Sequence, residues 1–417
     1  MGNMKKADFF SKVNQWSVFL LIISLNFGEI LNVRGIAFSN ILAVLTFVFV
    51  LISLVSSHLK INYINGKRWI IGLCIIWGVY DLLQLFWVQD YALWFSGSRM
   101  LFINLYLCIL LCVVINSKEE YLFQLKGIVF SWGIQITAGA YEIIFSKHFI
   151  SEGVSYWDRN HVRTFFGNPN DCATWIVLCF FGFFLYMCIK KYLKLFMLIA
   201  LGITTFIVYA TGSRACTLGM VVFIIALILG KVLIYFSNIK INKWKRLIQL
   251  LFYFIVLMVS AIIIVLLFFE REILDDFILQ YISSVGNTES DLLRLTLTEG
   301  SIRVAINYML AGAGAFQSIN YLGINPHNFL LEILADYGIF IFLIIVSMLL
   351  NIFWKIFDLK LTKDIRSFCF SFFLSFLVIS ISSSSINRLR LTWIIIIMMF
   401  LYSYIFSNQS RERVGKK

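Results

Sequence analysis

The sequence predicts an all-α integral membrane protein, and three observations carry that prediction. Of 417 residues, 60% are hydrophobic and 14% are charged, with 2 prolines; a soluble domain carries about a quarter charged residues. Mean hydropathy is +0.88. Apolar runs of about 18–20 residues, the length that spans a bilayer core as a helix, recur along the chain. A soluble enzyme, a nucleic-acid-binding protein and a disulfide scaffold are thereby excluded. The net charge of +13 follows from cytoplasmic loops enriched in Lys and Arg, not from a nucleic-acid partner.

The first span follows a short basic segment, MGNMKKADFFSK, and is placed near 16–33. No small-residue cleavage site marks it as a removable signal. Further spans fall near 36–56, 69–89, 100–116, 127–146, 172–189, 195–212, 215–236, 247–268, 338–354, 367–385 and 391–406. About twelve helices result, forming one polytopic unit over 1–417. With the N-terminus inside, the inner segments carry 23 of the 35 Lys and Arg, or 24 with Lys231 at an inner helix end. Both termini then lie in the cytoplasm, as the positive-inside rule requires.

The outer cations are of one kind. Apart from Lys147 they are all arginine: Arg34, Arg99, Arg159, Arg163, Arg214, Arg271, Arg294, Arg303, Arg388 and Arg390. Arginine offers a planar fork of donors that matches phosphate oxygens two at a time, whereas lysine is a point charge. The bias points to a phosphate or carboxylate ligand on the outer face; random codon use is the alternative. The eight cysteines sit in or beside spans with no CxxC pair, so neither a zinc site nor a disulfide framework is indicated. No GxxxxGK[ST] loop is present. No metal or cofactor is expected.

Outer polar chemistry concentrates in residues 269–337, a large extracytoplasmic loop without a spanning run. Asp291–Met309 repeats apolar residues at helical spacing. Ala311-Gly312-Ala313-Gly314-Ala315 reads as a flexible turn where backbone can approach a ligand, or as a plain helix break. Pro326 suits a helix start, which places His327 in a first helical turn. There the imidazole is expected neutral and able to accept a proton, as a general base must; a capping or packing histidine is the alternative. Gly212-Ser213-Arg214 joins two spans with almost no loop. An arginine so close to hydrocarbon lines a wet site or snorkels to headgroups. Arg159 to Asn170 forms a third cluster, in which Arg163, Asn168 and Asn170 offer donors for phosphate or sugar hydroxyls. Glu29, Asp81 and Glu142 fall within spans, where they could pair with arginines or relay protons.

In this order, the clusters resemble the O-antigen ligase and polymerase superfamily of bacterial polysaccharide assembly. The carrying residues are Gly212-Ser213-Arg214, Arg294 about eighteen residues before Gly312-Ala313-Gly314, and His327-Asn328 leading into a span with Gly338. Arg163 to Asn170 matches an upstream stretch loosely, and Arg303 competes with Arg294 as the loop arginine. The resemblance implies a GT-C-like, metal-independent inverting glycosyltransferase of the bacterial inner membrane. Its substrates would be glycans linked through pyrophosphate to a polyprenyl lipid, and a chain-length regulator and a flippase would be its partners. His327 would be the base, Arg214 and Arg294 would clamp the pyrophosphate, and Arg163, Asn168, Asn170, Arg303, Asn328 and Arg388 would contact substrate. A repeat-unit polymerase is favoured, with an O-antigen ligase as alternative. A lipid-linked oligosaccharide flippase would instead show two similar halves.

Overall fold

The computed structural model describes residues 2–27, 30–33, 36–55, 65–150, 161–192, 194–237, 289–308, 311–358, 361–380 and 390–414. The expected span at 247–268 lies outside them, as do Glu29, Arg34, Arg159, Asn160, Arg271 and Arg388. The other expected spans each coincide with a helix. Among the described residues, seven stretches are long and apolar enough to cross a bilayer: Phe38–Val55, Gly66–Phe86, Tyr91–Val114, Lys118–Phe145, Pro169–Lys190, Arg214–Ile234 and Phe329–Phe357.

Helix α1 (Gly2–Ser24) starts earlier and stops sooner than hydropathy suggests. Asn26 ends it: its amide donates back to Ile23 O at 2.8 Å and sideways to Ser131 Oγ at 2.7 Å. The chain then makes a two-residue antiparallel pair, β1 (Asn32–Val33) with β2 (Ile36–Ala37), and enters α2 (Phe38–Val55) and α3 (Asn65–Leu83). Helix α4 (Tyr91–Val114) begins nine residues before its expected start, because Asp90 Oδ1 accepts from Ala92 N (2.8 Å) and Leu93 N (3.0 Å). Helix α5 (Lys118–Phe145) likewise begins early. Ser117 and Glu120 form a capping box there, each side chain taking the other's backbone N–H.

Helix α6 (Pro169–Lys190) is apolar all round and almost wholly buried, so it forms the centre of the bundle. Helices α5, α7 (Lys194–Ala210), α8 (Arg214–Ser237), α13 (Lys363–Ser380) and α14 (Arg390–Val414) pack around it. The α8–α13 pair is held by small residues and hydroxyls, as membrane helix pairs often are. Ser375 Oγ donates to Gly219 O at 2.7 Å, and Ser367 Oγ to Leu227 O at 2.8 Å. A Cβ on Gly230 would lie 3.0 Å from the Ser367 backbone.

The segment before α12 (Gly338–Trp354) is folded against the bundle. It comprises α9 (Glu289–Asn307), a short α10 (Gln317–Leu322), one turn α11 (Phe329–Glu332) and a π-helical turn Ile333–Tyr337. The C-terminal ends of α3, α5, α7 and α13 and the N-terminal ends of α4, α6, α8, α12 and α14 share one end of the bundle. The polar clusters gather there.

Candidate functional site

Three residues separate α7 from α8, and Gly212 makes that turn possible. Its φ is +71°, and a Cβ would lie 2.5 Å from His161 Cδ2. The His161 ring therefore occupies the space a side chain would need. Val162 N donates to Ala210 O at 3.1 Å, fastening the 161–168 segment to the end of α7. Arg214 is the first residue of α8 and is exposed. Thr174 Oγ1 lies 3.4 Å from Cys216 Sγ, which joins the first turns of α6 and α8. Arg214 and the Arg163 segment thus meet at one place, although about fifty residues separate them.

Arg163 is 2% exposed. Its backbone N–H donates to Glu142 Oε2 at 2.8 Å, as does Thr164 N at 3.2 Å; Phe149 N donates to Glu142 Oε1 at 3.1 Å. His148 Nδ1 lies 3.2 Å from Glu142 Oε2. Glu142 was expected to neutralise an arginine or pass protons. It instead holds backbone amides, and Arg163 Nε and Nη1 are buried with no hydrogen-bond partner among the described residues. An uncompensated buried cation costs several kcal/mol, so this geometry calls for an anion. Thr164, at φ +49°, donates Oγ1 to Gln135 Oε1 at 2.6 Å. Gln135 Nε2 and Trp175 Nε1 both donate to Asn26 Oδ1, at 3.1 and 2.8 Å. This network locks the segment onto α1, α5 and α6. The side-chain oxygen of Asn168 caps α6 by accepting Asn170 N at 2.8 Å, and Asn170 is exposed. Asp81 is buried on α3 facing Ser98 of α4.

The Gly312–Gly314 turn approaches its own chain rather than open space. Gly312 has φ +85°, and a Cβ there would lie 2.5 Å from Gly338 N and 2.6 Å from Asp336 O. Ala313 N donates to Ala335 O (2.8 Å) and Gly314 N to Asp336 O (2.9 Å). From the far end of α3, Tyr80 Oη donates to Ala311 O (2.6 Å), Trp87 Nε1 to Gly312 O (2.8 Å) and Gln84 Nε2 to Asp336 O (2.8 Å). The flexible ligand-facing turn expected from the sequence is thus a buried brace. The Asp336 carboxylate completes it, accepting Phe316 N (3.1 Å) and Ser318 N (2.9 Å) at the start of α10. The π-helical turn that carries Asp336 is a rare form that occurs frequently at functional sites.

His327 is half-buried at φ +53°. It lies before the helix, not in its first turn as expected, because Asn328 takes the cap: Asn328 Oδ1 accepts Leu330 N (3.2 Å) and Leu331 N (3.1 Å). Phe329 then packs on Phe376 of α13 and Trp393 of α14, with ring centroids 5.5 and 5.8 Å apart. His327 is thereby tied to the same helix ends that frame Arg214. Arg390 at the start of α14 reaches Ser39 Oγ at 3.4 Å and lies close enough to Arg99 for the two charges to repel. Arg303 is exposed on α9 and pairs with Glu299 one turn earlier, at 2.5 Å. Arg294 belongs to α9, but its side chain lies outside the described residues. Tyr308 and Tyr321 share a hydrogen bond between α9 and α10; burial, with the neighbouring phenol, pushes the Tyr308 hydroxyl above its ordinary range.

Asp336, Gln84 and Gln135 join the site without having been candidates, and His161 enters it from within the Arg159–Asn170 cluster. A polar residue inside an apolar run was the one signal for the first three, and nothing local marks His161 as the residue that packs over Gly212.

Fold and site together define a multi-pass helical membrane protein with arginines and a histidine gathered at one end of its bundle. A family model described as O-Antigen ligase matches residues 195–346. That stretch holds Gly212–Arg214, Arg294, Gly312–Gly314 and His327–Asn328. The teichuronic acid biosynthesis protein TuaE of Bacillus subtilis (strain 168) is 25% identical over 345 residues, which cover 76% of this chain and 68% of TuaE. The likeness to the O-antigen ligase and polymerase superfamily is shown by these two matches.

Proposed function

We propose that the chain is a polysaccharide polymerase of the bacterial cell envelope. It transfers a growing glycan from its polyprenyl-pyrophosphate carrier to the next lipid-linked repeat unit at the outer leaflet of the inner membrane. The reading includes about twelve spans in a GT-C-like arrangement with both termini cytoplasmic, and a chain-length regulator and flippase as partners. One observation carries it: a fully buried arginine with two unpartnered donors, packed beside the Gly-Ser-Arg turn, suits a doubly charged pyrophosphate.

In the reaction, a sugar hydroxyl of the acceptor repeat unit attacks the anomeric carbon of the donor glycan. The new C–O bond forms as the bond from that carbon to the pyrophosphate oxygen breaks. His327 takes the hydroxyl proton. The leaving pyrophosphate keeps the bonding electron pair, and its growing charge is stabilised by Arg214, Arg294 and Arg163, held in place before the reaction. One displacement inverts the anomeric centre, and no metal enters the scheme. Arg388 remains an outer candidate for substrate contact, with Asn168, Asn170 and Asn328 shaping the helix starts, while Arg303 is taken up by its exposed pair with Glu299. The family description favours a second reading, in which the glycan passes to a different acceptor as in an O-antigen ligase. Similarity to a protein named for teichuronic acid biosynthesis supports a role in cell-envelope polysaccharide assembly under either reading.

The test is a gel profile of surface polysaccharide from a deletion strain complemented with wild type, Arg163→Ala, Arg214→Ala or His327→Ala. Single repeat units on their usual acceptor, with the ladder gone, support the polymerase. Full-length polymer left on its lipid carrier supports the ligase. Normal ladders from all three variants sink the site. Material trapped on the cytoplasmic side points to a flippase.

A further inference from the structure

At the end of the bundle opposite Arg214, a pocket of about 290 Å³ lies between α6, α7, α8 and α13. Lys191, Lys194 and Lys231 converge on it, with Asp364 as the one acidic side chain in its wall. The lysines come from separate elements. Lys191 closes α6 in the left-handed conformation (φ +56°), Lys194 opens α7, and Lys231 lies near the end of α8. All three are exposed. The rest of the wall is largely apolar, with Met197, Leu198 and Leu201 prominent.

This pocket continues into an open apolar groove of about 980 Å³ along α5, α6 and α7, and the two share Met187 and Tyr192. Phe130, Ile134, Phe183 and Phe196 line the groove, which ends at an aromatic group of Tyr141 on α5 with Phe149 and Phe165. From Val129 to Tyr141 an α-helix rises about 18 Å, close to the roughly 15 Å of one leaflet's hydrocarbon. A net positive, apolar-walled pocket thus opens onto a groove one leaflet long.

We propose that this composite site binds an anionic glycerophospholipid of the cytoplasmic leaflet. The phosphate sits among Lys191, Lys194 and Lys231, and one acyl chain lies in the α5–α7 groove. Basic pockets between membrane helices suit anionic headgroups, and each nearby lysine contributes on its own. A soluble anion would gain nothing from the apolar wall, and a long isoprenoid chain would overrun a groove one leaflet deep. None of the three lysines takes part in the reaction proposed above, and the assignment to the cytoplasmic leaflet rests on the orientation in that reading.

The experiment uses full-length protein purified in detergent. It is offered equimolar phosphatidylglycerol, phosphatidylcholine with the same acyl chains, and a long-chain polyprenyl phosphate, and bound lipid is read by native mass spectrometry. Wild type is expected to retain phosphatidylglycerol selectively. Substituting Lys191→Gln, Lys194→Gln and Lys231→Gln together removes that selectivity, at roughly fivefold per lysine. Lys126→Gln, on an exposed position of α5, leaves it intact. Gly133→Leu fills groove space where no atom lies within 4 Å of a new Cβ, and lowers retention with all three lysines present. Equal retention of the two phospholipids by wild type overturns the proposal. So does a triple-lysine variant that binds like wild type, or a preference for the polyprenyl phosphate.

Discussion

Replacing Gly212 by alanine tests whether the Gly-Ser-Arg turn is built around His161. Two costs arise. An L-residue at φ +71° loses about 1–2 kcal/mol relative to glycine. The new Cβ would also fall 2.5 Å from His161 Cδ2 and 2.6 Å from Nε2, and overpacking of this kind costs about 1–3 kcal/mol. The sum is about 2–5 kcal/mol, borne by the contact between the 161–168 segment and the α7–α8 turn. Gly212→Ala should lower the apparent unfolding temperature in detergent and sharply reduce polymer in the complementation assay. His161→Ala in the same chain should recover the steric share and leave the conformational share. Wild-type stability and a normal ladder in Gly212→Ala would refute the reasoning. Failure of His161→Ala to recover any stability would refute the steric part alone.

Other substitutions probe the remaining contacts. Glu142→Ala removes the acceptor for three backbone amides and should impair polymer formation as strongly as Arg163→Ala, with Glu142→Gln between them on the same gel. Asp336→Ala leaves Phe316 N and Ser318 N unpartnered in the interior. At about 1–3 kcal/mol per orphaned donor, a loss of roughly 2–6 kcal/mol should appear in thermal unfolding, with faster proteolysis near 317–322. Arg303→Gln breaks only an exposed pair, so stability should change by less than about 1 kcal/mol and the ladder should stay normal. Arg294→Gln should abolish the ladder, and equal activity in both variants would remove the loop arginine from the scheme.

Much of this protein was legible in its sequence because the signals are local. Hydropathy over about twenty residues marks a span whatever lies beside it, so eleven of the expected spans coincide with helices. Their starts were less legible at α4 and α5, where Asp90, Ser117 and Glu120 begin the helix well ahead of the apolar run. At α1, Asn26 closes the helix inside a run that still reads as apolar. In each case a side chain satisfying one or two backbone groups outweighed average hydropathy.

The order Arg163, Gly-Ser-Arg, Gly-x-Gly and His-Asn is likewise a property of the sequence, and it was enough to indicate a superfamily. What each motif touches is not. The Gly312–Gly314 turn is braced by Tyr80, Gln84 and Trp87, more than two hundred residues away. Glu142, which could have paired with an arginine or relayed protons, instead clasps the backbone of Arg163, Thr164 and Phe149. His161 fits over Gly212 because a helix end delivers the two to one point, and Asn328 displaces His327 from the helix by capping it first. The sequence by itself determined which segments form long apolar helices and which residue types stand at their ends. Only the tertiary structure decided which of those polar groups consume one another and which remain free for a ligand. Hydrogen bonds and close packing act over a few ångströms in space, and separation along the chain does not constrain them.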